Sequence, residues 1–187
     1  MFVIVFIMQR FDLQVIGFSF LIVFGIALAG IFYQNTIKPL ELTQIHLDKI
    51  VGSSDTETIK TELIEVKQNL SLVMANMETR ETFDGEDVRI NPVWIFPTES
   101  TNFLRIENDV DEIISTNEKI SLIPKDTSAF HTGMLDINSR STYIKENIQD
   151  AIPYIYGNLE SAFFGSILLL GSFGLVETLW RKQTHPN

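Results

Sequence analysis

The sequence predicts an all-α membrane protein in which a transmembrane helix at each end flanks an antiparallel bundle of three to four helices outside the cytoplasm. Three observations predict it. Two apolar runs stand near the termini, at residues 15–33 and 161–180. Between them, apolar residues recur at the three-and-four spacing of helix faces. Charge is also partitioned: all but three of the 14 basic and all but three of the 24 acidic side chains lie between Gln34 and Leu159. The formal net charge of −10 therefore belongs wholly to the middle of the chain.

The first run, Val15 to Tyr33, reads VIGFSFLIVFGIALAGIFY and carries no charge. A bilayer core about 30 Å thick needs about 20 helical residues, so the run is long enough to span it. In lipid every backbone polar group must be paired internally, so an uncharged run of this length reads as a helix. Residues 1–14 then form an N-terminal segment. An alternative is a signal peptide cleaved after Ala29, since Ala27-Leu28-Ala29 is a small-x-small triplet with Arg10 upstream. The apolar stretch MFVIVFIM before Arg10 and the apolar continuation Gly30 to Tyr33 favour a retained anchor.

The second run begins AFFGSILLLGSFGLV at Ala162 and closes on Trp180, Arg181 and Lys182. Tryptophan suits the headgroup level, and the adjacent cations mark residues 181–187 as a cytoplasmic tail. Two spans return the N-terminus to the same side, which Arg10 supports and Asp12 offsets. Glu177 lies one turn from Arg181 and reads as its ion-pair partner rather than as a functional intramembrane carboxylate. Gly25 and Ala29 form a small-xxx-small pair, while Ala162, Gly165 and Ser172 share one face of the second helix. Small residues let helices approach closely in lipid, so these positions are candidates for helix packing.

The middle, residues 34–160, reads as an acidic helical domain. Pro39 suits the first turn of a helix carrying Leu42, Ile45 and Ile50, closed by Gly52-Ser53-Ser54. From Asp55, the residues Ile59, Leu63, Val66, Leu70, Val73 and Met77 follow spacings of 4, 3, 4, 3 and 4. This coiled-coil-like seam predicts a helix running to about Thr79 and ~35 Å long. Residues 81–97 break the pattern as a short hairpin or irregular insert. Asp84-Gly85 signals a turn there, and two prolines bracket Val93-Trp94-Ile95-Phe96. Trp94 and Phe96 are either a buried cap on the bundle or an exposed knob for a partner. A second seam follows Thr98 or Ser100 as N-cap: Phe103, Ile106, Val110, Ile113 and Ile120, with Asn117 in the polar slot. Pro124 ends it. Ser128 to Asn138 is ambiguous around Gly133. A last helix carries Tyr143 or Ile144, Ile148, Ala151 or Ile152, Ile155 and Leu159 straight into the second span, kinked at Pro153.

Each amphipathic helix must bury its stripe against another, which makes an up-and-down bundle. The layout resembles extracytoplasmic four-helix sensor modules of bacterial and archaeal receptors, in layout alone and with no shared motif.

The residues point away from chemistry. Without cysteine there are no disulfides, thiolate nucleophiles or cysteine-bound metals, and the absence leans toward a bacterial or archaeal source. His46, His131 and His185 are scattered. Asp84, Glu86 and Asp87 could offer oxygens to calcium but lack the spacing of an EF-hand loop, and read as a solvated turn. Asn69-Leu70-Ser71 is a formal glycosylation sequon in mid-helix, with Leu70 on the seam. No nucleophile elbow or phosphate loop stands out. An acidic surface repels nucleic acid. The sequence thus predicts a non-enzyme with no catalytic, cofactor-binding or metal-binding residues. It is expected to be an accessory or structural subunit of a larger membrane complex, partnered through its spans and bundle. The alternative is an extracytoplasmic ligand-sensing module that signals through a separate protein, since seven tail residues hold no output domain.

Overall fold

The computed structural model describes residues 2–75, 77–81, 87–91 and 98–184, which are mostly helical. The chain divides into two compact units, Tyr33–Asn158 and the pair of end segments Met1–Phe32 and Leu159–Asn187.

In the first unit, a π-helical turn, Tyr33–Ile37, leads into α2, Lys38–Val51 (α1 belongs to the second unit). α3 follows at Thr56–Met74, then strands β1, Glu78–Glu81, and β2, Asp87–Ile90. A 3₁₀ turn at Glu99–Thr101 precedes α4, Phe103–Ser121, and α5, Ser128–Tyr156. α2 packs on α3, α3 on α4, α4 on α5, and α5 returns to α2. Neighbours run antiparallel: Lys67 meets Asp111 while Asn117 meets Thr56, and Arg105 meets Tyr143 while Gly133 faces Ile120. The result is a four-helix bundle.

Caps set the helix starts. Asp55 accepts from the Thr58 amide at 3.0 Å, Asn102 from Arg105 at 3.3 Å and Thr127 from Phe130 at 3.2 Å. Each satisfies a donor that the first turn would otherwise leave open. The seams then close the core. Ile59, Leu63, Val66, Leu70 and Val73 from α3 are buried, as are Phe103, Ile106, Val110, Ile113 and Ile120 from α4. α2 adds Leu40, Leu47 and Ile50, and α5 adds Ile137, Ile144, Ile148, Ala151 and Ile155. Burying each large side chain contributes about 1.5–3 kcal/mol before the entropy cost.

Several boundaries differ from the sequence expectation. α3 stops at Met74, not near Thr79, because Glu78 already pairs with Ile90 in the β-hairpin and Thr79 with Arg89. The helix is therefore 19 residues, nearer 28 Å at about 1.5 Å each. Neither Thr98 nor Ser100 caps α4. Thr98 caps the 3₁₀ turn, in a reciprocal pair with Thr101, and Asn102 takes the α4 cap. The ambiguous stretch Ser128–Asn138 is plain helix, with Gly133 buttressed by Ile120 across the interface. On α5 the core positions are Ile144 and Ala151, while Tyr143 is exposed and Ile152 half-buried. α5 does not run unbroken into the next helix: it ends at Tyr156 on a Gly157 cap, four residues past Pro153. Proline lacks the donor and crowds the preceding turn, so the ladder weakens just before this break.

The second unit pairs α1, Phe2–Phe32, with α6, Leu159–Thr184. They are antiparallel: Phe18 lies against Gly174, Gly25 against Leu168, and Phe32 meets Phe164 edge-on with centroids 5.8 Å apart. Two helices in the described chain are long and apolar enough to cross a membrane, and their apolar portions fall in α1 and α6. The faces turned away from the pair expose Ile16, Phe20, Val23, Leu169, Phe173 and Val176.

Candidate functional site

The small-residue positions divide. A Cβ built on Gly25 would come within 2.8 Å of the Leu168 side chain, so this glycine sits in close helix contact. Ala29 is half-buried on the same helix. On α6, however, Gly165 has open space beside it, and Ala162 and Ser172 are exposed. The contact with α1 falls instead to Gly171 and Gly174. A Cβ on Gly171 would lie 2.8 Å from Ile22 and 3.2 Å from the Phe18 carbonyl, and one on Gly174 would overlap the Phe18 ring. Beside them the Thr178 hydroxyl donates to the Gly174 carbonyl at 2.7 Å. At about 100° per residue, Gly171 and Gly174 point roughly opposite to Ala162, Gly165 and Ser172. The Gly-x-x-Gly spacing is present in the sequence, but which small face meets α1 is a matter of packing. Near the end of α6, Glu177 pairs with Arg181 one turn on.

Inside the bundle, polar groups interrupt the seams. The Asn117 amide is 3% exposed and donates to the Thr56 carbonyl at 2.9 Å, while its Oδ1 has no protein partner. The Ser141 hydroxyl is fully buried, also without one. At the α4–α5 face Arg140 joins Asp136 at 3.1 Å, Asp109 at 3.9 Å and Glu112. Burial pushes the Asp109 carboxyl up against the pull of Arg105 and Arg140. Between α2 and α3, His46 Nδ1 lies 2.5 Å from Glu62, which Lys49 also reaches at 3.1 Å. Burial acts to raise the Glu62 carboxyl, but these two partners together outweigh it and hold it below its ordinary range.

These clusters read as helix-to-helix register pins, each contributing at most about 1 kcal/mol where exposed, although Asp109 Oδ2 is buried without a hydrogen-bond partner. Among the described residues no group of three or more histidine, cysteine or acidic side chains could hold a metal ion. His46 is engaged with Glu62, and His131 stands edge-on to Phe130. Asp87 is exposed on β2. Trp94, Phe96, Asp84, Glu86 and His185 lie outside the described residues.

No protein-family model, curated protein or solved structure matches this chain.

Proposed function

We propose that this chain is a non-enzymatic two-span membrane protein of the cell membrane, serving as an accessory or structural subunit of a larger membrane complex. Its bundle, 33–158, stands outside the cytoplasm and both termini lie inside, the orientation favoured by Arg181 and Lys182 beside Trp180. The observation that carries the subunit reading is the open small-residue face of α6. Gly171 and Gly174 are occupied by α1, while Ala162, Gly165 and Ser172 remain open to another helix. Lipid tails are as apolar as leucine, so close backbone approach at small residues is what makes helices associate there. Trp94 and Phe96 would supply a second contact on the outer side, as aromatic anchors in an irregular segment.

The mass of the native particle after gentle detergent extraction, with mass spectrometry of its components, tests this reading. A large particle containing other proteins supports it; a lone monomer or homodimer overturns it. Topology is tested separately, and the absence of native cysteine makes the labelling clean. A membrane-impermeant maleimide applied to intact cells should modify Ser128→Cys but not Thr184→Cys. A second reading, a ligand-sensing module acting through a separate partner, draws on the open hydrogen-bonding capacity of Asn117 and Ser141 inside the bundle. A small ligand that raised the melting temperature of the bundle would favour it.

A further inference from the structure

Along the buried stripe of α5, Ser141 is the one polar residue, fully buried between Ile137 and Ile144. Its hydroxyl is placed unlike others inside these helices. Thr43, Thr61 and Thr142 each donate to the carbonyl four residues earlier on their own helix, at 2.9 or 3.0 Å. Ser141 does not, and its Oγ is buried without a protein partner. A serine that forgoes the carbonyl one turn back points its oxygen away from its own backbone and into the interface.

Across that interface stands Asp109 of α4. Arg140, the residue before Ser141, reaches Asp109 Oδ1 at 3.9 Å, and Tyr143, two residues after it, accepts from Arg105 at 2.6 Å. Position 141 is therefore level with Asp109. Arg140 serves one carboxylate oxygen, at ion-pair range, while Oδ2 is buried and has no protein partner. One turn earlier on α5, Asn138 Oδ1 is a further buried oxygen without one.

The kind of atom left open selects the guest. Carboxylate and amide oxygens only accept, and a hydroxyl oxygen accepts through two lone pairs, so these atoms call for N–H or O–H hydrogens from outside. Charge selects further. Asp109, Glu112 and Asp136 set three carboxylates around the single Arg140 guanidinium, in a chain of net charge −10 that draws cations. Arg105 is engaged with Glu99 and Tyr143. Size selects last: serine occupies less of the stripe than the isoleucines beside it, and a packed helix interface admits only a small group.

We propose that the α4–α5 interface binds a small ammonium group, which donates to Asp109 Oδ2 and Ser141 Oγ and offsets the surplus carboxylate charge. The bare ion and the head of a primary amine share this chemistry. The site is independent of the subunit reading and gives the ligand-sensing alternative a ligand class.

Thermal unfolding of the full chain in detergent micelles, in ammonium chloride against potassium chloride at equal ionic strength, tests this. Potassium matches ammonium in charge and closely in size but carries no N–H, so it controls for screening. With ammonium about tenfold above its dissociation constant, the midpoint should rise by about 5 °C over the potassium control. Ser141→Ala and Asp109→Asn should each abolish the difference, whereas Thr142→Ala, whose hydroxyl is engaged on its own helix, should keep it. Methylammonium chloride separates the sources: a larger rise than with ammonium assigns an amine head, a smaller one the bare ion. Equal midpoints in ammonium and potassium overturn the proposal and leave the open oxygens to water. A difference that survives either Ser141→Ala or Asp109→Asn overturns it as well.

Discussion

Truncating Leu70 to alanine in the excised segment 33–158 measures whether the α3 seam is core. Leu70 is 1% exposed, in line with the buried Leu63, Val66 and Val73, whereas Leu72 two residues on is 57% exposed. The substitution removes three buried carbons, about 2.4 kcal/mol at ~0.8 kcal/mol each. A cavity that relaxes only partly adds about 1–2 kcal/mol, for a total of about 3–4 kcal/mol. For a unit of this size, 1 kcal/mol moves the melting temperature by about 4 °C, so the midpoint should fall by about 12–16 °C. Leu72→Ala should cost no more than about 0.5 kcal/mol. Thermal unfolding followed by far-ultraviolet circular dichroism reads both. If Leu70→Ala melts with the parent, or Leu72→Ala costs as much, the helix does not present this face to the core and the bundle as described is wrong.

Asn117→Leu should stabilise the same segment by about 1–2 kcal/mol in urea unfolding: it gives up one hydrogen bond, removes a buried acceptor without a protein partner, and adds apolar contact. Asp109→Asn tests the half-buried carboxyl. Because folding raises its proton affinity, the charged form is disfavoured in the fold, and stability from this group is present at low pH and lost as pH rises through the folded value. The amide variant should therefore melt above the parent at pH 7, by less than about 1 kcal/mol, with the difference shrinking as the medium is acidified. For the α1–α6 pair, Gly171→Val forces a side chain against Ile22 and the Phe18 carbonyl, while Gly165→Val enters open space. Disulfide yield between cysteines placed at Phe32 and Phe164 in the full chain should fall several-fold with the first and stay unchanged with the second.

Local pattern carries much of this protein. The seams of α3 and α4 are visible because a helix repeats every 3.6 residues, so one buried face writes itself into the spacing of Ile59 to Val73 and Phe103 to Ile120. Asn117 is legible for the same reason, as the polar member of that series. The two apolar runs are equally plain, since the length and the lack of charge are properties of the chain itself.

Pairing is what the sequence left open. Met77 fits the α3 spacing, yet it falls outside the helix because Glu78 is claimed by Ile90, a partner twelve residues away that no local window weighs against the seam. Gly165 and Gly171 are the same residue in the same apolar helix, and only the position of Phe18 and Ile22 makes one a contact and the other open. Composition and period fix which segments are helical and which face is apolar. Which neighbour covers that face, and where a helix must widen or stop to reach it, is set by contacts distant in sequence, and those exist only once the chain is folded.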